Sequence, residues 1–426
     1  MSGHTTVPLI VYRIIVAVAG PYMQYRVGNR LKSFGVSEIR RQEREGYPSE
    51  MRPDGQLVWL HAASVGESLS TLPLIEALHA ADPQLRILLT TGTASSAEIL
   101  ARRLPTHVQH QFAPLDRPNA VERFLRHWRP QLAMFVESEI WPQMLLQTEA
   151  LNIPVALINT RFSKKTRRHW RRIKHTLDRL VGRAELLHAQ DTATATFLHG
   201  ITGQTVLDGP NLKSLAAAPP VDEIELERMR ASIRDRAVWL AALTHHGEDE
   251  IILAAHELVR ESIPGALLIL VPRHPERAPE IKEMVQGRGM EFSQRSLNQR
   301  ISNDTSVYIA DSLGEMGLWY ALSPVTFLAG SLGNAGGHNA WEPASIGTAL
   351  VSGPNFENAK ASYNKLDLEN CVSFATDAKE ISSKILTLLE DSELTNHIAE
   401  KQRSLVAAER HDGLAKLTRR IQEILL

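Results

Sequence analysis

The sequence predicts an α/β protein with two doubly wound, Rossmann-like domains in series, preceded by an apolar N-terminal helix. Three observations lead to this fold class. Short apolar runs alternate with segments of helical period, the alternation breaks once near the middle of the chain and resumes, and residues 1–30 are mostly apolar. Uniformly apolar strands separated by helices are typical of a parallel sheet covered on both faces. Two such sheets are expected to face a cleft at the carboxyl ends of their strands.

Length and composition fit this prediction and narrow the function classes. The chain has 426 residues, of which 43% are hydrophobic and 22% charged, an ordinary balance for a globular protein of two or three domains. The net charge of -1 gives no global reason to expect nucleic-acid binding. The single cysteine, Cys371, excludes an intrachain disulfide and a cysteine-based zinc site, so we expect a reducing compartment and predict no metal.

Residues 1–30 are predicted to be a membrane anchor. The stretch from Val7 to Met23 is mostly apolar, but Arg13 interrupts it and the uncharged run is shorter than the roughly 20 residues of a comfortable span. Arginine and lysine follow this stretch and none precedes it, which predicts that the rest of the chain is cytoplasmic. Three interpretations are open: a single span, a helix in the membrane interface with Arg13 reaching the head groups, and a signal peptide ending at Ala19.

Residues 31–218 are predicted to form the first domain, around a parallel sheet. The amphipathic stretches between its apolar runs, such as Val121–Trp128, predict helices that cover the sheet. The predicted strands are Leu57–His61, Arg86–Thr91, Val108–Phe112, Leu132–Val136, Pro154–Asn159, Glu185–Ala189 and Thr205–Leu207.

Carboxylates follow two of these strands, at the edge where such folds bind ligands. Glu67 comes after the first strand and precedes a helix predicted at Ser68–Ala80, whose positive end would favour the ionised form. Glu67 is a candidate general base, or else it only complements the helix dipole. Glu137 and Glu139 follow the fourth strand directly. Pro142 suits a first helical turn, so one of these two carboxylates is alternatively an aid to the helix N-cap.

Basic residues occupy the end of the first domain. A cationic helix between Arg161 and Lys174 is interleaved with aromatic side chains, and RNA, anionic lipid and plain solvent are its competing partners. Next to an apolar N-terminal segment, anionic lipid is at least as good a partner as RNA. Lys213 follows the last strand and is placed to meet a phosphate. The basic residues singled out for acceptor or membrane binding are Arg161, Lys164, Lys165 and Arg168.

The alternating pattern breaks at Ala216–Pro220, which predicts the boundary between the domains. Residues 219–236 are predicted to be a linker helix, and residues 237–426 a second domain that ends in helices at about 378–389 and 397–426. The strands predicted there include Val238–Leu243, Ala266–Val271, Val307–Ile309, Val325–Leu328 and Ala349–Ser352.

A glycine-rich turn from Gly330 to Gly337 is the strongest local signal in the second domain. Its glycines leave backbone N–H groups uncovered, and a helix expected to begin at His338 points its positive end at the same space. This arrangement suits an anion. Glu342, one turn into that helix, would accept hydrogen bonds from hydroxyl groups such as those of a ribose. A phosphate beside a sugar predicts a nucleotide. The alternative is that the glycines only form a loop that joins a strand to a helix.

Two other strand ends of this domain carry groups suited to a nucleotide. Arg273 follows an apolar strand and can hold a phosphate with two parallel hydrogen bonds. After the next strand, Gly314 gives access to the backbone and Glu315 offers an acceptor.

Five segments carry a family resemblance in their residues and in their order. They are His61–Glu67, Glu137–Pro142, Asn211–Lys213, Pro272–Arg277 and Gly336–Ala344. These segments resemble the 3-deoxy-D-manno-octulosonic acid (Kdo) transferase family, the lipopolysaccharide enzymes that move Kdo from CMP-Kdo to the lipid A precursor, lipid IVA. The resemblance runs from the N-terminal segment nearly to the C-terminus.

The resemblance implies a GT-B type glycosyltransferase with no cofactor or metal, held on the cytoplasmic side of the inner membrane. By the family pattern Glu67 is the proton acceptor, and Glu137 and Lys213 stabilise the transition state. The implied partners are CMP-Kdo, the lipid A precursor and inner-membrane phospholipid, with no nucleic acid. The implied CMP contacts are Pro272, Arg273, Leu313, Gly314, Glu315, Asn339, Ala340, Trp341 and Glu342.

Two alternative functions share parts of this pattern. A nucleotide-sugar epimerase has the same fold and a carboxylate-lined cleft but needs no membrane segment and no acceptor site. A non-catalytic module that binds CMP-sugar or anionic lipid would keep the glycine-rich turn but would have no use for Glu67.

Overall fold

The computed structural model describes residues 6–209, 211–213, 215 and 218–426. The chain divides into two compact units, residues 1–216 with 410–426 and residues 217–409. In the described part, each unit is built on a seven-stranded parallel sheet, which confirms the predicted fold class. Residues 1–5 of the expected anchor, and Ala216 and Ala217 of the expected domain boundary, lie outside the described residues.

The first unit alternates strands and helices after two N-terminal helices. Its strands are β1 (Leu57–His61), β2 (Arg86–Thr91), β3 (Val108–Phe112), β4 (Leu132–Val136), β5 (Val155–Thr160), β6 (Leu186–Ala189) and β7 (Leu207–Asp208). Its helices are α1 (Val7–Ser33), α2 (Glu38–Gln42), α3 (Val65–Ser70), α4 (Leu72–Ala81), α5 (Ala94–Ala101), α6 (Pro118–Trp128), α7 (Pro142–Ala150), α8 (Lys164–Arg172), α9 (Lys174–Val181) and α10 (Thr192–Thr202).

The strand order of the first sheet is β3-β2-β1-β4-β5-β6-β7. The chain therefore reverses its direction of winding between β1 and β4, the switch point where open α/β sheets bind ligands. Both strands are fully buried, and apolar except for His61 at the end of β1, because the two faces of the sheet carry separate cores. Trp59 packs into one core and Leu60 into the other. The loops after β1 and β4 are thus neighbours at the carboxyl edge.

The second unit repeats this plan with two short strands that the sequence did not predict, β10 and β14. Its strands are β8 (Val238–Thr244), β9 (Leu267–Pro272), β10 (Phe292–Gln294), β11 (Val307–Ile309), β12 (Val325–Leu328), β13 (Ala349–Ser352) and β14 (Val372–Phe374). Its helices are α11 (Glu223–Ile233), α12 (Glu248–Ser262), α13 (Ala278–Gly287), α14 (Met316–Leu322), α15 (Trp341–Ile346), α16 (Lys360–Leu368), α17 (Ala378–Glu390) and α18 (Ser392–Leu425), whose last residues belong to the first unit.

The strand order of the second sheet is β10-β11-β9-β8-β12-β13-β14, with its switch point between β8 and β12. The loops after β11, β9, β8 and β12 therefore follow one another along the carboxyl edge. The sequence pointed to three of these loops as nucleotide sites and not to the loop after β8.

Two segments pack differently from the predicted domain plan. Helix α11, expected to be a linker, buries Leu226, Met229 and Ile233 in the core of the second unit. Residues 410–426, expected in the second domain, belong to the first unit, where Leu417 and Ile421 are buried in the core beside β1. Helical periodicity predicts an apolar face but does not say which sheet will cover it.

Helix α1 is long and apolar enough, by length and composition, to cross a membrane. One side of it packs on the first unit and buries Leu9, Val16, Gly20 and Leu31. The remaining side leaves large apolar residues exposed along most of the helix. These exposed residues are Val7, Ile10, Val11, Ile14, Ile15, Val18, Tyr22, Met23 and Tyr25.

Candidate active site

Glu67 lies after β1, as predicted, but inside the first turn of α3 rather than before a helix. The single helix predicted at Ser68–Ala80 is two helices, α3 and α4, and the first begins at Val65. Ser64 caps α3, because its side-chain oxygen accepts the Glu67 N–H at 3.4 Å. The Ser64 hydroxyl donates to Glu67 Oε1 and the backbone N–H of Ala63 donates to Oε2, each at 2.8 Å. The half-buried carboxylate is therefore held in one orientation at the switch point of the first sheet.

The pKa of Glu67 is raised above its ordinary value. Burial is the largest cause, and the neighbouring carboxylates Glu139 and Glu137 add to it, while the Ser64 and Ala63 hydrogen bonds oppose it. The ionised form, which the helix end was expected to favour, is on balance disfavoured, because loss of solvent outweighs the hydrogen bonds that stabilise it. A raised pKa brings this carboxylate closer to neutral pH, where general bases act most efficiently.

Glu137 and Lys213, predicted to act together, are in contact. Lys213 Nζ lies 2.6 Å from Glu137 Oε1. Glu137 follows β4 directly and has a φ of 59°, a left-handed conformation that costs a non-glycine residue free energy. Its backbone N–H donates to the Ile158 carbonyl at 2.9 Å, so the neighbouring strand holds this conformation.

Asn159, which the sequence did not single out, fixes the segment that carries Lys213. It lies in β5, next to β4 in the sheet, with a φ of 56°. Its side-chain oxygen accepts the Leu212 N–H at 2.9 Å, and the Asn211 side-chain oxygen accepts the Lys213 N–H at 3.0 Å. An asparagine at the carboxyl end of a central strand was the available signal.

Glu139 occupies the same loop as Glu137 and faces a buried histidine. Its Oε2 lies 3.6 Å from His61 Nε2, and the Trp141 indole N–H also donates to this carboxylate. Burial raises the pKa of Glu139, but the interactions with His61 and Trp141 outweigh burial and leave it below its ordinary value. Glu139 is therefore an ionised neighbour of Glu67, whose pKa it raises.

Neither of these loop carboxylates caps α7, and that suggested role is wrong. Pro142 opens the helix as predicted, and the N-cap residue Trp141 makes no side-chain capping bond. The cap comes instead from Asp116, whose Oδ2 accepts the Gln143 N–H at 3.0 Å and whose Oδ1 accepts the Met144 N–H at 2.7 Å. Glu137 and Glu139 instead contact Lys213 and His61.

The basic segment follows β5 and lies beside the acidic loop. Helix α8 begins at Lys164, so Arg161 precedes it, and Arg161, Lys164, Lys165 and Arg168 are all exposed. The Ser138 hydroxyl donates to the Arg161 carbonyl, which ties the basic segment to the loop that carries Glu137.

In the second unit, the first half of the glycine-rich turn is occupied by the protein's own carboxylate. Glu248, in the first turn of α12 after β8, is 3% exposed. It accepts the backbone N–H groups of Gly330 at 2.7 Å, of Ser331 and Leu332 at 3.0 Å each, and of His245 at 2.9 Å. The prediction that these amides are free to bind an external anion is therefore wrong for Gly330 to Leu332.

The second half of the turn also differs from the prediction. Helix α15 begins at Trp341 rather than His338 and is only 6 residues long, so His338 does not lie at a helix start. The side chains of Ala340 and Trp341 are buried in the core. The Asn339 side-chain oxygen accepts the Trp341 N–H at 3.2 Å.

Two histidines meet where the loops after β8 and β12 approach each other. His245 Nε2 lies 3.0 Å from His338 Nε2, and the rings are stacked with centroids 5.2 Å apart. Burial, the neighbouring His245 and the Arg273 guanidinium lower the pKa of His338 to about 4, and burial lowers the pKa of His245. Both rings are therefore neutral at pH 7, with one N–H donated from ring to ring.

Arg273 and Glu342 come from different loops and lie close enough to interact. Arg273 is exposed after β9, and its backbone N–H donates to the Thr244 carbonyl at 3.0 Å. The pKa of Glu342 is raised by the surrounding protein, although the residue is exposed. Asn339 and the Arg273 guanidinium lower this pKa, but by less. An exposed cation and an exposed carboxylate thus lie at the carboxyl edge of this sheet, beside its switch point.

The loop after β11 places Leu313 in solvent, 79% exposed, and gives Gly314 a φ of 85°. Glu315 is paired with Arg295, with Oε2 3.1 Å from Nε and Oε1 2.5 Å from Nη2. Burial raises the pKa of Glu315, but Arg295 and the Ser312 hydroxyl outweigh it and leave the pKa below its ordinary value. Pro272, the last residue of β9, is buried. The sequence did not identify Arg295.

The fold itself is that of known glycosyltransferases. Over 88% of this chain and 98% of the other, the structure is similar to a glycosyltransferase from Rickettsia africae, with a TM-score of 0.57 and 11% sequence identity. The chain therefore has the GT-B type glycosyltransferase fold.

Comparisons of sequence identify the family. A family model described as 3-deoxy-D-manno-octulosonic-acid transferase matches residues 39–214. The chain is 32% identical to the 3-deoxy-D-manno-octulosonic acid transferase of Haemophilus influenzae over 91% of this chain and 88% of that protein. It is 34% identical to a probable mitochondrial 3-deoxy-D-manno-octulosonic acid transferase of Arabidopsis thaliana over 73% of this chain and 72% of that protein. The chain belongs to the Kdo transferase family and is a glycosyltransferase.

Proposed function

We propose that this enzyme transfers Kdo from CMP-Kdo to the lipid A precursor lipid IVA and releases CMP. The observation that carries the proposal is the place of Glu67, a family-motif carboxylate held by two hydrogen bonds at the switch point of the first sheet. A merely structural capping residue gains nothing from a raised pKa, whereas a general base does.

Glu67 would act as the base in the transfer step. It takes the proton from a glucosamine hydroxyl of the acceptor as that oxygen attacks the anomeric carbon of Kdo. The bond from that carbon to the phosphate oxygen of CMP breaks, and the electron pair leaves with CMP. The two hydrogen bonds to Glu67 keep its carboxylate oriented throughout this step.

Basic side chains would balance the negative charge that develops on CMP. Lys213, oriented by Glu137, and the exposed Arg273 are the candidates. Glu137 would stabilise positive charge at the anomeric carbon. The neutral His338 ring, Asn339 and Glu342 would supply hydrogen bonds to the nucleotide in the second unit.

The acceptor and the membrane would be bound by the first unit. The exposed side chains of Arg161, Lys164, Lys165 and Arg168 suit a phosphorylated lipid, and the contact between Ser138 and Arg161 places them next to the acidic loop. The apolar stripe of α1 would insert into the inner membrane from the cytoplasmic side. Since the other face of α1 packs on the protein, we favour a helix in the membrane interface over a span.

One assay tests this function. Purified protein is incubated with CMP-Kdo and a tetraacylated lipid A precursor, CMP release is measured, and the lipid is analysed by mass spectrometry. We expect release that depends on the lipid, together with a lipid product that has gained Kdo. Conversion of the sugar without lipid would support an epimerase, and binding of CMP-Kdo without turnover would support a non-catalytic module.

A further inference from the structure

We propose that Asp116 is a positioning residue that couples the N-terminal helix α1 to the acidic loop of residues 137–141. The inference rests on the proposed function, because it assigns a role in acceptor chemistry to a residue outside the family motifs. It follows from three sets of contacts within the first unit.

The first contacts join Asp116 to the start of α7. Asp116 is 8% exposed, and its two carboxylate oxygens accept the N–H groups of Gln143 and Met144 at 3.0 and 2.7 Å. These N–H groups belong to the first turn of α7 and have no partner within the helix itself. Asp116 therefore determines where α7 begins.

The second contacts join Asp116 and its neighbour to α1. The Tyr12 hydroxyl donates to Asp116 Oδ2 at 2.5 Å. One residue further on, Arg117 Nη1 donates to the Gln24 side-chain oxygen at 3.0 Å. A Cβ at Gly20 would lie 2.8 Å from Arg117 Nε, so the absent side chain lets the helix approach this closely. Tyr12 is thus a third donor to a carboxylate that already holds α7.

The third set of contacts joins α7 to the proposed catalytic residues Glu137, Lys213 and Glu67. Residues 137–141 are the whole connection between β4 and α7, so a shift at Pro142 must move the loop. That loop carries Glu137, which contacts Lys213, and Glu139, which raises the pKa of Glu67. The position of α1 therefore affects both the geometry and the electrostatics of the acceptor side.

The burial of Asp116 explains why the tyrosine matters. Burial raises the pKa of Asp116, whereas Tyr12, Gln143 and Met144 lower it by donating hydrogen bonds to the ionised form. Without Tyr12 the carboxylate has one compensating donor fewer and holds the two α7 amides less firmly. Since α1 is also the proposed membrane helix, its binding to the lipid surface would affect how well the acidic loop is ordered.

Tyr12→Phe tests the coupling, because it removes the hydroxyl and leaves the exposed apolar stripe intact. The control is Tyr47→Phe, since the Tyr47 ring lies 4.5 Å from the Arg123 guanidinium and phenylalanine keeps that ring. We expect Tyr12→Phe to lower kcat about tenfold, the effect of losing a hydrogen bond to a charged group, with KM for CMP-Kdo and vesicle binding unchanged. Tyr47→Phe should change none of these quantities.

Amide hydrogen exchange gives a readout that does not depend on turnover. Exchange at Gln143 and Met144 should become faster in Tyr12→Phe and in Asp116→Asn, and remain as in the wild type in Tyr47→Phe. Wild-type exchange and wild-type kcat in Tyr12→Phe would overturn the proposal. Equal losses of kcat, CMP-Kdo affinity and thermal stability would also overturn it, since they indicate general destabilisation. If the wild type itself transferred no Kdo, the proposed function would fail, and the exchange data would still decide whether α1 and α7 are coupled.

Discussion

The carboxyl edges of the two sheets share a topology but use their carboxylates differently. At the switch point of the first sheet, Glu67 keeps a half-buried carboxylate with two local hydrogen bonds and a raised pKa. At the switch point of the second sheet, Glu248 is buried and accepts four backbone N–H groups. An acid in the first turn after a central strand thus has two local donors in the first sheet and four backbone donors in the second. We propose that the first acid serves chemistry and the second architecture.

The largest effect is expected from a substitution of Glu67. Glu67→Gln keeps the size of the side chain but cannot take a proton, so transfer should fall about 10²- to 10⁴-fold while CMP-Kdo affinity stays unchanged. Single-turnover rates and titration with CMP-Kdo would measure the two effects. The control is Glu98→Gln, since Glu98 is exposed and pairs only with its helical neighbour Arg102 among the described residues. A wild-type rate from folded Glu67→Gln would remove the base assignment.

Glu248→Gln tests the architectural side of the comparison. A glutamine oxygen cannot accept all four N–H groups, and each buried donor left unpaired costs about 1–3 kcal/mol. We expect the second unit to lose about 2–6 kcal/mol of stability by denaturant unfolding, and CMP affinity to fall as the turn from Gly330 to Leu332 loosens. Binding of lipid vesicles should not change. Wild-type stability would mean that the turn does not depend on this carboxylate.

The pH dependence of kcat/KM tests whether the pKa of Glu67 is raised. Because its pKa is raised, the base form is lost as the pH falls through that raised value, so kcat/KM should decline at a higher pH than for an ordinary glutamate. Glu139→Gln removes a negative charge that raises this pKa, so the decline of kcat/KM should then occur at a lower pH. A decline at the same pH or at a higher pH would contradict the assigned interaction.

The smallest effect is expected at the basic helix. Replacing Lys164 and Lys165 by glutamine removes two exposed charges, each contributing about 1 kcal/mol near an anionic membrane. Binding to vesicles that contain the lipid A precursor should weaken about 30-fold, with little change for CMP-Kdo. The matched control replaces Lys379 and Lys384, two exposed lysines on α17 in the second unit. Equal weakening of lipid and nucleotide binding would argue against a separate acceptor surface.

Local patterns in the sequence predicted most of the fold. The predicted bounds of β1 to β4, β12 and β13 agree with the structure. For β1, β4, β12 and β13 the reason is that strands covered on both faces are largely apolar, whereas the edge strand β3 is partly polar. The strands β10 and β14 were missed because each is short and has a polar serine at its centre. The end of α18 was assigned to the wrong core because its periodicity carries no information about its partner.

The position of a candidate side chain was predictable where it lies in the short segment after a strand, as at Glu67, Glu137 and Arg273. It was not predictable where two distant segments share one group. Glu248 binds amides more than eighty positions away, and no local pattern reveals that the glycine-rich turn is already filled. Asp116 likewise caps a helix that begins 26 positions later, at Pro142, so its role emerges only from the fold.

The central claim is that the first unit carries out the chemistry and the second holds the donor nucleotide. The most direct test is calorimetric titration of CMP-Kdo into folded Glu67→Gln and Glu248→Gln, with turnover measured on the same preparations. We predict wild-type donor affinity with almost no transfer for Glu67→Gln, and weakened donor affinity for Glu248→Gln. Lost donor binding in Glu67→Gln together with wild-type binding in Glu248→Gln would contradict this division of roles.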